Sequence, residues 1–119
     1  MKIRNGLPFT CKIIAVDFDG TLFDSCFPDV GTPRLEVINW AIAAQQSGHV
    51  VILWTCREGE ALQAAVQACA EHGLHFDAVN ELPVEYWERG ADRPYRKLFA
   101  DIYVDDRALT PEDALRCIP

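Results

Sequence analysis

The sequence predicts an α/β fold, a single-domain three-layer α/β/α sandwich spanning residues 1–119 around a parallel sheet. Three observations lead there. Apolar runs end abruptly in polar residues, as strands covered on both faces do. These runs alternate with stretches of helical period. The order strand, helix, strand, helix is that of right-handed parallel crossovers. The length of 119 residues suits one core and leaves little room for a second.

Taken in order, residues 12–18 (KIIAVDF) form the first and central strand. Thr32 as N-cap and Pro33 at the first helical position then open a helix of roughly four turns, with Leu35, Ile38 and Ile42 on one face and Gly48 as terminator. Residues 49–55 (HVVILWT) are a second buried strand. The stretch 58–73 is a second helix, with Leu62, Val66 and Cys69 inward and Gly73 closing it. Residues 76–80 are a short third strand. Residues 81–96, with Pro83, Gly90 and Pro94, read as loop with one helical turn around EYWER. Residues 101–106 (DIYVDD) are a fourth strand, and Thr110 caps a last short helix with acids in its first turn. No internal repeat or linker interrupts this order, and the expected sheet is Rossmann-like.

Half of the residues are hydrophobic and 24% are charged, an ordinary globular balance. The net charge of -7, without a basic stripe or a clustered Lys/Arg run, disfavours nucleic acid and anionic membrane as partners. The longest apolar run, VVILW at 50–54, is strand-sized. The stretch from Met1 to Lys12 is broken by Asn5, Gly6 and Pro8 and has no signal-peptide core, so a cytoplasmic location is expected. Five scattered cysteines (Cys11, Cys26, Cys56, Cys69 and Cys117) with no C-x-x-C pair read as reduced thiols. Cys56 lies near the polar strand ends but has no neighbouring histidine base, and no role is assigned to it.

The polar residues carry the functional signal. In an open parallel sheet, ligands bind beyond the carboxyl ends of the strands. Here those ends carry Asp17 and Asp19, Thr55 and Arg57, Asn80 and Glu81, and Asp105 and Asp106. Singly, such groups are ordinary turn and cap residues. Together, acids converging from two strand ends need a cation, and oxygen-only ligands select magnesium. Asp101, about 13 Å from Asp105 along an extended strand, belongs to the opposite end. Arg57 has two equal readings: a phosphate or substrate ligand beside Thr55, or a surface helix-start residue paired with Glu58 or Glu60. His49, His72 and His75 lack metal-ligand spacing and pack at element ends. Trp40, Trp54 and Trp87 read as core or pocket wall.

DFDGTLF at 17–23 resembles the first motif of the haloacid dehalogenase (HAD) superfamily. VVILWTCR resembles its second, Lys97 can stand for its third, and IYVDD resembles its fourth, so the resemblance runs from about Lys12 to Ala108. It implies a HAD-like, magnesium-dependent phosphatase that hydrolyses a phosphomonoester through an aspartyl-phosphate intermediate. Asp17 would be the nucleophile. Asp19 would be the general acid and then the base, with its backbone carbonyl on Mg2+. Asp105 and Asp106 would complete the metal site with Asp17. Thr55 would hydrogen-bond the transferring phosphoryl group, and Lys97 would neutralise its charge and hold Asp17. Backbone N–H groups of the turn at Phe18, Gly20 and Thr21 would share that load.

An Asp at position 19 points to phosphatase or phosphotransferase chemistry, since dehalogenase members lack that acid and P-type ATPases carry Thr there. The two alternatives are transfer to an acceptor other than water, and a non-catalytic phosphate-binding regulatory module. The gaps 22–32 and 81–96 hold no folded cap domain, so the site would be shielded by substrate, by a second copy in a homo-oligomer, or by the loop with Tyr86, Trp87 and Tyr95. The implied partner is a phosphorylated small molecule or a phosphorylated macromolecule end. Arg93 and Arg96 are the rival cations to Lys97, which matches by residue type and by its distance from the acidic pair. Asp24 is read as a turn residue.

Overall fold

The computed structural model describes residues 3–4, 7–8, 11–87, 90 and 97–117. Ahead of the main sheet, β1 (Ile3–Arg4) and β2 (Leu7–Pro8) form an antiparallel pair. The main elements follow as β3 (Ile13–Val16), α1 (Leu35–Gln46), β4 (Val50–Leu53), α2 (Gly59–Glu71), β5 (Ala78–Val79), β6 (Ile102–Val104) and α3 (Pro111–Cys117). One 3-10 turn, Val84–Tyr86, lies where a turn of helix is expected around EYWER.

The four strands β5-β4-β3-β6 form a wholly parallel sheet. In β3 and β4 every residue is buried, as their unbroken apolar sequences require of strands covered on both faces. Ile14, Val16, Val51 and Leu53 share one face with Ile38 and Ala41 of α1 and Ala65 and Cys69 of α2. Ile13, Ala15, Val50 and Ile52 share the other with Leu82, Leu98 and Ala100. Burying each of the Val, Leu and Ile side chains contributes roughly 1.5–3 kcal/mol.

Handedness explains the distribution. The crossovers β3-α1-β4 and β4-α2-β5 step the same way across the sheet, so right-handedness places both helices on one face. The β5-to-β6 connection steps back past β3 and therefore crosses the opposite face. The α/β character and parallel sheet are as the sequence predicts. The expected second helical layer differs: among the described residues that face is covered by the segments around Leu82–Trp87 and Leu98–Ala100, with only the 3-10 turn. Tyr86 and Trp87 are held there, Trp87 by an Nε1 hydrogen bond to the Leu82 carbonyl at 2.7 Å. Burial first, then Glu85, Asp77 and Cys11, push the Tyr86 hydroxyl up. Asp77 and Cys11 precede β5 and β3, so Tyr86 lies toward the amino ends of the strands, away from the carboxyl ends it was expected to shield. Tyr95 lies outside the described residues.

The first helix starts later than its cap signals suggest. Pro33 pairs with Phe23 in an isolated antiparallel bridge, and the Asp24 N–H donates to the Thr32 carbonyl at 2.8 Å, so residues 32–33 are drawn into extended pairing. Helix α1 begins after Arg34 with no side-chain cap, and Leu35 is 52% exposed, not inward. Thr110 does cap α3, its Oγ1 accepting from the Asp113 N–H at 3.1 Å. Trp40 is 44% exposed and lines a surface cavity with Ile14 and Ile102, so it is a wall residue and not core. His49 accepts from the Lys12 N–H at 3.0 Å and His72 bonds the Ala68 carbonyl at 2.9 Å, both at element ends. Asp101 accepts from the Ile13 N–H at 2.7 Å, at the amino end of the sheet. No helix among the described residues is long and apolar enough to cross a membrane.

Candidate active site

The chain winds from β3 to β4 on one side and returns to β6 on the other, so the crevice beyond the carboxyl ends of β3 and β6 is the topological switch point of the sheet. Asp17 leaves β3 there, its N–H donating to the Val104 carbonyl at 2.9 Å, which extends the β3–β6 ladder by one bond. Asp105 and Asp106 leave β6 beside it. Carboxylate oxygens of Asp17, Asp105 and Asp106 all lie within 4.8 Å of one another. A cleft of about 250 Å3 contains these three together with Asp19 and Thr55.

Asp17 sits half-buried with its carboxyl pushed up to about 6. Burial is the main cause; the charges of Asp105 and Asp106 add to it, while the Phe18 backbone N–H and the Thr21 hydroxyl oppose it. Folded Asp17 therefore keeps a proton between pH 3.8 and about 6 that an unfolded aspartate has released. Stability of the metal-free chain accordingly declines as pH rises through that window, on the order of 1 kcal/mol after allowing for solvent screening. Denaturant unfolding with chelator at pH 4.5 and pH 7 should show the decline, and added magnesium should flatten it.

The turn after Asp17 is closed on itself. The Phe18 ring is fully buried and stacks on Phe23 at 4.9 Å, and its carbonyl accepts from the N–H groups of Thr21, Leu22 and Phe23. The Gly20 N–H donates to the Phe23 carbonyl at 2.8 Å. The amides of Gly20 and Thr21, expected to meet phosphate, are thus engaged within the turn, because a chain reversing this tightly satisfies its own amides, whereas the Phe18 N–H is directed at the Asp17 carboxylate. Gly20 suits this turn: φ is +84°, which side-chain-bearing residues rarely adopt, and a Cβ there would push aside the Asp106 carboxylate 2.2 Å away.

Arg57 fits neither expected reading. It is 1% exposed, and all five guanidinium N–H donors are taken. Nε and Nη2 donate to the two Asp19 oxygens at 2.9 and 2.8 Å, Nη1 to the Pro28 and Ala61 carbonyls, and Nη2 also to the Asp29 carbonyl. Its Cζ lies 4.8 Å from the Phe18 ring centroid and 5.3 Å from that of Phe27. No donor remains for a phosphate, and Arg57 instead fixes the Asp19 carboxylate. Pairing with Asp19 holds the guanidinium firmly charged. A carboxylate has about four lone-pair sites; Arg57 takes one on each Asp19 oxygen, and the others remain for the cleft.

Thr55 accepts from the Arg57 N–H at 3.1 Å, which leaves its hydroxyl proton to donate. Its own N–H donates to the Asn80 side chain at 2.7 Å. Lys97 does not hold Asp17: among the described residues it makes no ion pair, and its Nζ lies 5.9 Å from the Tyr103 ring centroid in a neighbouring cavity. The cation lining the acidic cleft is Arg107, which sequence reasoning missed. Its N–H donates to Asp105 Oδ1 at 3.0 Å, and its place directly after the acidic pair was the available signal. Ser25 and Cys56 also line the cleft. Arg93 and Arg96 lie outside the described residues. Cys69, by contrast, is a buried core thiol pushed up to about 12.

Fold and site together define a parallel α/β domain with an oxygen-rich acidic cleft at its switch point. The chain belongs to the same family as the conserved protein coded by a locus from Bacteroides thetaiotaomicron, whose solved structure it matches at 39% identity with a TM-score of 0.73, over 84% of this chain and 79% of that one. No protein-family model and no curated protein matches the sequence significantly.

Proposed function

We propose that the protein is a magnesium-dependent phosphomonoester hydrolase of the HAD type, working through a phosphorylated Asp17. The observation that carries this reading is the convergence of Asp17, Asp105 and Asp106 at the switch point, in one cleft with an Asp19 that is held apart from them by Arg57. The donor set fits magnesium: it offers only oxygens, and Asp105 and Asp106 raise the proton affinity of Asp17, a repulsion that a divalent cation would relieve. Asp17, Asp105 and Asp106 would hold the ion, with the Asp19 carbonyl, and bound there it would neutralise and polarise the phosphoryl oxygens.

The chain's own groups divide the work. An Asp17 oxygen attacks phosphorus as the bond to the leaving oxygen breaks, and Asp19, which enters the step protonated on a lone pair that Arg57 leaves free, delivers that proton to the leaving oxygen. Asp19 then takes a proton from water, whose oxygen attacks phosphorus and frees Asp17. The Thr55 hydroxyl donates to the transferring group. Arg107, not Arg57 or Lys97, supplies the side-chain cation of the cleft. The free thiols of Cys11, Cys26, Cys56 and Cys69 suit a reducing cytoplasm.

The test is phosphate release from an aryl phosphate by the full chain. Release that needs magnesium and stops with chelator is expected; release indifferent to chelator would overturn the mechanism. Product analysis with added alcohols separates hydrolysis from transfer, and phosphate binding without turnover would favour the regulatory-module reading.

A further inference from the structure

A second cavity, of about 420 Å3, opens beside the acidic cleft and shares Asp105 with it. Its back wall is aromatic. Trp54 follows β4 and Tyr103 lies in β6, on either side of β3, where Ala15 is the residue paired with Tyr103. A methyl group at position 15 leaves room above the central strand, and the two rings meet there with centroids 5.1 Å apart at 54°.

The Tyr103 ring is a fixed wall, since its hydroxyl donates to the Leu98 carbonyl and accepts from the Ala100 N–H at 3.1 Å. The indole N–H of Trp54 donates to no group among the described residues. Lys97 stands at the rim with its ammonium toward the Tyr103 face, exposed and without an ion-pair partner among the described residues. Leu109, 53% exposed, completes the mouth. A phosphate needs none of these surfaces. A flat ring gains from the indole and phenol faces, and the ammonium and indole N–H offer donors to an oxygen acceptor or anionic substituent on that ring.

We propose that this cavity is the leaving-group subsite, and that the substrate is the phosphomonoester of a compound bearing a planar aromatic or heterocyclic ring, which packs against Trp54 and Tyr103 and presents an oxygen substituent to Lys97. This rests on the phosphomonoester reading above, which explains why the ring cavity adjoins the acidic cleft at Asp105.

Two measurements test the subsite separately from that reading. In the first, kcat and KM are compared for benzyl phosphate and glycerol phosphate in the wild type, in Trp54→Ala, and in Leu109→Trp, which fills the mouth from an exposed position. Both variants should raise KM for the benzyl ester about tenfold more than KM for glycerol phosphate. Equal effects on both esters, or none, would overturn the subsite. In the second, the indole N–H resonance of Trp54 is followed by NMR during titration with phenylphosphonate and with methylphosphonate in magnesium buffer. A shift with the phenyl compound alone supports the subsite even where no ester is turned over, in which case the hydrolase reading falls by itself. Turnover with an unmoved Trp54 resonance overturns the subsite and leaves the hydrolase reading standing.

Discussion

Replacing Asp17 by asparagine is expected to abolish magnesium-dependent phosphate release while making the metal-free protein more stable. The loss follows from chemistry: a carboxamide is a poor nucleophile toward phosphorus, and removing a nucleophile lowers kcat on the order of 10^3-fold or more. The gain follows from electrostatics. Asp17 is half-buried, and its ionised form is disfavoured by burial and by Asp105 and Asp106. Asparagine keeps the shape, can still accept from the Thr21 hydroxyl, and removes one negative charge from the cluster. Relief on the order of 1 kcal/mol at pH 7 corresponds to a rise of about 4 °C in Tm. Calorimetry with chelator and a phosphate-release assay with magnesium check the two halves independently. Retained activity would sink the nucleophile assignment; a fall in Tm would show that the repulsion is not what shapes this site.

The second large effect is structural. Arg57→Met should lower unfolding free energy by about 3–5 kcal/mol, because removing one partner of a buried pair leaves the other uncompensated. The vacancy is wider than one ion pair: the Asp19 carboxylate and the carbonyls of Pro28, Asp29 and Ala61 all lose their donor. Against a typical total of about 5–15 kcal/mol, that loss moves Tm by more than 10 °C. Arg57→Lys should recover only part of it, since an ammonium has three donors and no planar fork to span both Asp19 oxygens. Asp19→Asn should be milder than Arg57→Met, because it keeps an acceptor on Arg57 and Asp19 is 23% exposed. Urea unfolding of the three variants decides this, and an Arg57→Met protein as stable as the wild type would refute the clamp.

Much of the fold was legible because it depends on local pattern. Unbroken apolar runs locate β3 and β4, and alternation with helical periods locates α1 and α2. The start of α1 was not legible: Thr32 and Pro33 look like a cap and a first turn, but pairing with Phe23 and Asp24, nine residues or so upstream, outcompetes them. Nor was the non-helical cover of the second sheet face, since segments rich in Pro and aromatic residues acquire order only by packing on Ala15, Val50 and Ile52.

For the site, the sequence by itself determined which strand ends carry acids and that they share one edge of the sheet, while the adjacency of β3 and β6 that brings Asp17 to Asp105 and Asp106 was decided by the tertiary structure. The fates of the cations were decided only in three dimensions. A carboxylate at a strand end is placed by the ladder beneath it, whereas a long cationic side chain goes wherever acceptors and ring faces happen to converge. Asp19, Pro28, Asp29 and Ala61 converge on Arg57, the Tyr103 ring draws Lys97 aside, and Arg107 is left to line the cleft. Those acceptors lie up to 38 residues from Arg57 in the chain, so no local pattern records their meeting.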